Sequence, residues 1–387
     1  MAIQQQYTTS LGELVGRVRA IKPNLPPTVA QDFINDRIRL ILDRQPCWSG
    51  NFEETILYIP PIYNSGSIAF TQNSRTINGT STVWPVNDVV NTTIPAGVLR
   101  PGFQTITPAS MNGITADTYL YVDAGGTPEI VSVIYVGPTS FTAIFNYAHS
   151  AGCTATSSSF AGRQLRCGNT FPIFTIEAVV SSTQAILDME WKATAQAGVS
   201  YTIRQMYYTV APDIKMLSAV VDQAQGIPPL RIDVPITEIN RIDPQRVSTG
   251  YPQILANRGT NANGNMQWEI WPSPQEERQL RVFYFKQPPK LTTEGDRIPA
   301  FMNPTVLFYG AMADAFRIKI GADDAYYDPR ASRDYEQKFE AAYLDMAQAD
   351  NEKMQQQFLT RGAGSGMPGG ADWNRSHSID ALMYTSY

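Results

Sequence analysis

Glu129-Ile130-Val131-Ser132-Val133-Ile134-Tyr135-Val136, followed beyond Gly137-Pro138 by Ser140-Phe141-Thr142-Ala143-Ile144-Phe145-Asn146-Tyr147, decides how this chain is read. Both runs are rich in β-branched and aromatic residues and are bounded by Gly, Pro and Asn, the composition of short strands separated by turns. The same strand-like period begins at Gly66 and includes Thr118 to Val122. From about Gly66 to Gly168, Thr, Ser, Asn and Gly take the place of Lys and Glu, so the composition shifts inside the chain. The stretch has a nested look. Gly66 to Val98 and Phe160 to Tyr208 read as two parts of one β-domain, interrupted by a smaller one near Leu99 to Ser158. Such insertions are tolerated where entry and exit points lie close together at a surface.

Outside this stretch the period is helical at both ends. Ser10 with Glu13 has capping-box spacing, and Leu11, Leu14, Val15 and Val18 share one helical face as far as Pro23. Thr28 is read as the cap of a second, longer helix carrying Ala30, Ile34, Ile38 and Ile41, which stops before Pro46. Phe52 to Ile59 then reads as a strand. After Pro212, Leu230 to Val234, Gln267 to Trp271 and Gln279 to Phe285 are strand-like, and the simplest reading of the last two is a hairpin through Pro272-Ser273-Pro274. Asn303 and Pro304 open a helix by cap and first-turn preference, and Gly321 closes it. Tyr335, Phe339, Ala342 and Met346 mark another that runs to about Leu359. Arg361 to Gly370 is too Gly-rich for a helix and leads to Trp373, Ile379, Leu382, Met383, Tyr384 and Tyr387, a tether with a sticky end expected to dock into a neighbour.

The 387 residues, 43% hydrophobic and 17% charged, bury a sizeable core but carry few charges to solvate a large surface, which favours surface covered by partners. A net charge of −5 argues against a protein whose main task is gripping nucleic acid. The polar start, Met1 to Ser10, lacks a signal-peptide pattern and no run of about 18 apolar residues occurs, so neither secretion by signal peptide nor membrane spanning is expected. Cys47, Cys153 and Cys167 with His149 and His377 make a metal cage implausible. Cys153 and Cys167 are within range of a loop bridge, but free buried thiols are the expectation.

Enzyme readings find little support. Gly364-Ser365-Gly366-Met367-Pro368-Gly369 matches the dinucleotide spacing without a preceding strand, and is read as linker. Asp323 and Asp324 are read as a solvated helix cap, and His149 as a surface or interface histidine without a nucleophile elbow to serve. No catalytic residue, cofactor or metal is expected. The enzyme alternative is a tail accessory that binds or cleaves host polysaccharide, with a groove lined by Trp84, Tyr119 or Tyr121 and carboxylates such as Asp117 or Asp123. Tyr207, Tyr208, Trp268, Trp271, Phe283, Tyr284 and Phe285 serve as core, as subunit interface, or as both.

The order of elements resembles the head-to-tail adaptor proteins of short-tailed phages, relatives of the tail tubular protein A group. The resemblance rests on Ile41-Leu42-Asp43-Arg44-Gln45-Pro46-Cys47-Trp48, Tyr208-Thr209-Val210-Ala211-Pro212-Asp213, and Ile239-Asn240-Arg241-Ile242-Asp243-Pro244 with Gly250-Tyr251-Pro252. It continues through Ile270-Trp271-Pro272-Ser273-Pro274, Pro288-Pro289-Lys290-Leu291-Thr292, and Asp296-Arg297-Ile298-Pro299 before Tyr309-Gly310-Ala311-Met312-Ala313-Asp314-Ala315. Simple adaptors lack the β-insertion.

The resemblance implies an α+β chain in which the N- and C-terminal helices form a bundle with a small core sheet. Residues 1–65 and 209–360 are then the adaptor core and 361–387 a flexible portal-docking tail, while 66–208 is, from its own strand period and composition, an inserted β-rich domain of nested barrel or sandwich type. It also implies a structural virion protein, made in the host cytoplasm, that assembles as a ring of twelve copies between the portal and the tail nozzle (tubular) protein. Genomic DNA would pass through the lumen without specific binding, and the inserted domain would face a tail fibre or the capsid. A closed ring needs two different complementary patches on each subunit.

Overall fold

The computed structural model describes residues 9–94, 99–123, 125–168, 172–211, 213–224, 228–232, 234–320 and 324–362, with side chains as far as 353. The fold is α+β and mostly sheet. In chain order it runs through α1 (Leu11–Ile21), α2 (Pro27–Arg44), β1 (Phe52–Ile59), β2 (Ser67–Phe70), β3 (Ser74–Thr80), β4 (Val90–Ile94), β5 (Gly102–Ile106), β6 (Tyr119–Val122), β7 (Glu129–Val136), β8 (Phe141–Phe145) and β9 (Cys153–Ser157). It continues with β10 (Gln164–Arg166), β11 (Phe174–Ser181), β12 (Gln184–Trp191), β13 (Gln196–Val199), β14 (Thr202–Arg204), β15 (Tyr207–Thr209), β16 (Ile214–Asp222), α3 (Ile236–Ile242), β17 (Ile254–Thr260), β18 (Met266–Trp271), β19 (Arg278–Lys286), α4 (Pro304–Arg317) and α5 (Pro329–Gly362). Two compact units result: one draws on the chain up to Glu53, on Asp213–Met216 and on the chain from Tyr284, the other on Glu54–Pro212 and Leu217–Phe283.

The helical unit is organised by helix ends that find donors and acceptors. Ser10 caps α1 by accepting from Glu13 N, and the Glu13 carboxylate accepts from Ser10 N, so the capping box is formed. The segment before α4 satisfies further donors: Leu11 N donates to Asp296 O at 2.8 Å and Gly12 N to Glu294 O at 3.0 Å. α2 differs from expectation, since it starts at Pro27 with Pro26 as N-cap and Thr28 lies inside the helix. Proline at the first helical position has no N–H to satisfy and a φ already suited to the turn. Asn35 on α2 fixes Leu291 by donating to its carbonyl at 3.0 Å and accepting its amide at 2.9 Å. Leu14 and Val18, Ile34 and Ile41, Trp48, Val306 and Leu307, and Phe339 meet in one core with essentially no exposure. Each such side chain contributes about 1.5–3 kcal/mol.

Charge is also buried in this unit. Arg37 of α2 donates to both oxygens of Asp314 on α4 (2.6 and 2.7 Å) and of Glu336 on α5 (2.7 and 2.8 Å), and lies 4.7 Å from the Phe339 ring centroid. Burial alone would depress this guanidinium; the two carboxylates outweigh it and hold the charge. Gly310 makes room, because a Cβ there would stand 2.7 Å from Arg37 Cδ. Asp324 is not a solvated cap as the sequence implied. It pairs with the fully buried Lys22 at 3.0 Å and accepts from Ile320 N and Tyr326 N, while Lys22 also donates to the carbonyls of Ala315 and Ile318 at the end of α4. The cap of α5 is Asp328, which accepts from Arg330 N and Ala331 N. Asp323 lies outside the described residues.

The second unit is built mainly of sheets. A seven-stranded antiparallel sheet has the order β13-β2-β3-β12-β11-β10-β14, and alternate residues such as Ile68, Phe70, Ile77, Phe174, Ile176, Leu187 and Ile203 supply its core. Between β3 and β10 the chain builds a six-stranded sheet of order β4-β9-β6-β7-β8-β5 around Val90, Leu120, Val131, Val133, Phe141 and Phe145. This inner sheet starts earlier than the expected Leu99, because β4 pairs with β9 from Val90↔Ser157 to Ile94↔Cys153. β15-β18-β17 form a third sheet, and a fourth, β1-β19-β16, has residues in both units. The hairpin expected between Gln267 and Phe285 is therefore wrong: β18 and β19 pair in different sheets, across the cis Trp271-Pro272 bond. Among the described residues of Leu230 to Val234 no strand forms either, Arg231 making an isolated bridge to Ile254. The stretch Leu217–Phe283, expected with the helices, groups with the β-rich unit instead.

Candidate functional site

The residues that invited an enzyme reading are occupied structurally. His149 is buried, 1% exposed, with a carboxylate on each ring nitrogen; the expectation of a surface or interface histidine is overturned. Trp84 is buried and donates from Nε1 to Tyr201 Oη at 2.9 Å, so it lines no groove. Asp117 accepts from Thr209 Oγ1 (2.6 Å), Asn263 Nδ2 (2.8 Å) and Asn265 Nδ2 (3.0 Å). Tyr119 and Tyr121 do line a crevice, with Thr156, Ser157 and Glu177, but its empty space is about 170 Å³, below the roughly 300 Å³ where small-molecule sites begin. Cys47, Cys153 and Cys167 are free thiols, and burial pushes Cys47 up to about 11 and Cys167 to about 12, so neither forms a thiolate at neutral pH. Among the described residues no group of three or more His, Cys, Asp and Glu is placed to hold a metal ion.

What remains accessible is surface. Between Val90 and Ser157 the sequence holds four residues of the Asp, Glu, Lys and Arg types, namely Arg100, Asp117, Asp123 and Glu129. Asp123 and Glu129 face His149, and Asp117 holds the β17–β18 turn, which leaves Arg100 as the exposed charge of the inner module. The outer face of its β5–β8–β7 edge is apolar. Phe103 (66% exposed) stands directly opposite Ile144 (53%), and Tyr135 (66%) stands opposite Thr142, which meets Thr105 at 3.0 Å. Solvated surfaces are ordinarily rich in charge, whereas interface cores are depleted in it and enriched in aromatic residues. Chemically, this face can bind a partner by burial of apolar area.

The module is aimed by Asp117. This residue holds φ at 65°, and its amide donates to Val133 O at 2.8 Å while its carboxylate gathers the three donors from Thr209, Asn263 and Asn265. Asn263 Nδ2 also donates to Ser132 Oγ at 2.7 Å. Replacing Asp117 by Ala should cost about 0.5–1.5 kcal/mol, the net worth of hydrogen bonds to half-buried and exposed donors. The check is proteolysis or amide exchange of the β17–β18 turn; an unchanged turn would show that the module is held by other contacts.

A second polar centre organises the region around α3. Asp243 accepts from Val247 N (2.8 Å), Ser248 N (2.8 Å) and Trp271 Nε1 (3.0 Å), and although burial works against its charge, these donors keep its carboxyl below the usual range. Arg246, at φ 52°, donates to Glu269, Asn240 and the Asp243 carbonyl, and its own carbonyl accepts from Arg204. The Asp243-Pro244 and Trp271-Pro272 stretches quoted for the resemblance are thus parts of one turn network. Of the aromatic cluster, Tyr208, Trp268, Tyr284 and Phe285 are buried and Tyr207, Trp271 and Phe283 half-buried, so core is the main role. The tail residues Trp373, Ile379, Leu382, Met383, Tyr384 and Tyr387, together with Gly364–Gly369, lie outside the described residues. No sequence pattern announced the Phe103–Ile144–Tyr135 face, because exposure of alternate residues depends on which side of the sheet has a core.

The model of the SU10 adaptor protein family matches residues 169–361. That match supports a phage adaptor-type protein and, more broadly, a structural component of a virion. No curated protein matches the chain. Among solved structures, the VP16-VP17 complex of the two major capsid proteins of bacteriophage P23-77 is 12% identical over 40% of this chain and 99% of that one, with a TM-score of 0.12. VP17, a capsid protein of the same phage, is 12% identical over 40% of this chain and 96% of that one, with a TM-score of 0.11. No helix among the described residues is long and apolar enough to cross a membrane.

Proposed function

We propose that this chain is the subunit of a head-to-tail adaptor ring of twelve copies, seated between the portal and the tail nozzle and lining part of the DNA channel. The observation that carries the reading is the adaptor-family match over 169–361, which contains the Asp243 turn network, the Leu291–Ile298 segment that receives α1 and α2, and the Arg37 partners Asp314 and Glu336. A ring subunit needs rigid joints and coverable faces rather than a reaction centre. Both are features of this chain. The tail from 361 docks on the portal in this reading, and tethering makes that docking effectively intramolecular once the ring has formed. The uncharged Phe103–Ile144–Tyr135 face of the inserted module meets a tail fibre or the capsid. No observation favours the polysaccharide reading, since its two carboxylates, Asp117 and Asp123, are held by Asn263 and His149.

Electron microscopy of the purified protein mixed with its portal is the test. Closed rings stacked on the portal are expected. A protein that stays a monomer and leaves the portal bare would defeat the proposal.

A further inference from the structure

The buried His149 cluster has a proton requirement that no role described above uses. The His149 side chain has no exposure, its Nδ1 lies 3.1 Å from Asp123 Oδ2 and its Nε2 lies 2.5 Å from Glu129 Oε1. A neutral imidazole has one N–H, so it can satisfy one of these carboxylates and must turn a lone pair on the other. Glu129 cannot turn away to water, because its side chain is 3% exposed and it also accepts from Asn146 N (2.8 Å) and Tyr147 N (3.3 Å). Geometry therefore calls for an imidazolium between two carboxylates. Phe145, edge-on to the ring at 5.9 Å, adds no charge, and burial, then Asp123, keep the Cys153 thiol protonated.

The cluster joins separate pieces of chain. His149 exchanges backbone hydrogen bonds with Leu99 (2.9 and 3.2 Å), Glu129 opens β7, Asp123 follows β6, and the 146–152 turn links β8 to β9. We propose that His149 is a proton-held clasp: it is doubly protonated at neutral pH, and loss of that proton in alkaline solution frees the 146–152 turn, with its exposed Tyr147, from Glu129 and Leu99. This reading is independent of the ring. Burial works against the charged ring, but the hydrogen bonds to Glu129 and Asp123 outweigh it and raise His149 above its ordinary 6.5. The sign follows from the raised folded value. The clasp is fully closed below the open-chain value of 6.5 and weakens about tenfold per pH unit above it, until the folded value is passed.

The chain has two histidines, so full-length protein carrying His377→Gln leaves His149 as the source of every imidazole signal. Nitrogen-15 NMR of that protein is expected to show both ring nitrogens protonated at pH 7, with a titration midpoint above 6.5. Amide exchange at Asn146 and Tyr147, corrected for intrinsic base catalysis, should quicken about tenfold per pH unit up to that midpoint and then level off. A neutral ring at pH 7, in either tautomer, overturns the proposal, as does protection indifferent to pH across the midpoint. Glu129→Gln should lower the midpoint and flatten the pH dependence of exchange, and an unmoved midpoint counts against the clasp. Should that variant fail to fold, the titration of the unaltered cluster still decides.

Discussion

Replacing Arg37 by Ala is expected to lower the stability of the helical unit by about 3–5 kcal/mol, the range found when one partner of a buried ion network is removed. The reason is the orphaning of Asp314 and Glu336, whose side chains are 19% and 30% exposed and have lost the fork that satisfied both oxygens of each. Arg37→Lys should be only partly better. A lysine keeps the charge but presents a point rather than a plane, so it cannot serve two carboxylates in paired fashion as the guanidinium over Phe339 does. Urea unfolding followed by fluorescence reports the effect, since Trp48 sits in the same core. A loss of under about 1 kcal/mol, typical of exposed ion pairs, would show that the network is not what joins α2, α4 and α5.

Ending the chain after Arg361 is expected to abolish portal binding while leaving the fold intact. The core contacts of α5 come from Phe339, Tyr343 and Ala347, well before that point, so the truncation removes none of them. It removes Trp373, Ile379, Leu382, Met383, Tyr384 and Tyr387, large apolar and aromatic residues near the end of the tail. Two measurements separate the outcomes: a thermal melt, which should match the full chain, and co-sedimentation with portal, which should fall to background. Undiminished co-sedimentation would move the docking surface elsewhere on the molecule.

Local chemistry made several parts of this chain legible. Ser10 and Glu13 signalled a capping box by spacing alone, and it is present; Phe52 to Ile59 signalled a strand by composition, and β1 has those bounds. Readings failed where partners come from afar. Asp324 looks like a cap because acidic residues before helices commonly are, but Lys22, about three hundred residues away, claims it. Gln267 to Phe285 looks like a hairpin because two strands flank a turn, yet β17 and β15 take β18 while β1 and β16 take β19. His149 reads as a surface or interface residue because neither Asp123 nor Glu129 is near it in sequence.

By itself the sequence determined the class of the molecule: helices at both ends, strands between, few charges in the inserted stretch, and landmarks in an adaptor-like order. These follow from periodicity, capping and composition, which act over a few residues. Tertiary structure alone decided which charges are buried, which strands share a sheet, and which face of the inserted module is left bare. The physical reason is that burial and pairing depend on what a distant segment brings to the same place. Phe103 and Phe141 are both phenylalanines on neighbouring strands, and only the position of the core makes one 66% exposed and the other fully buried.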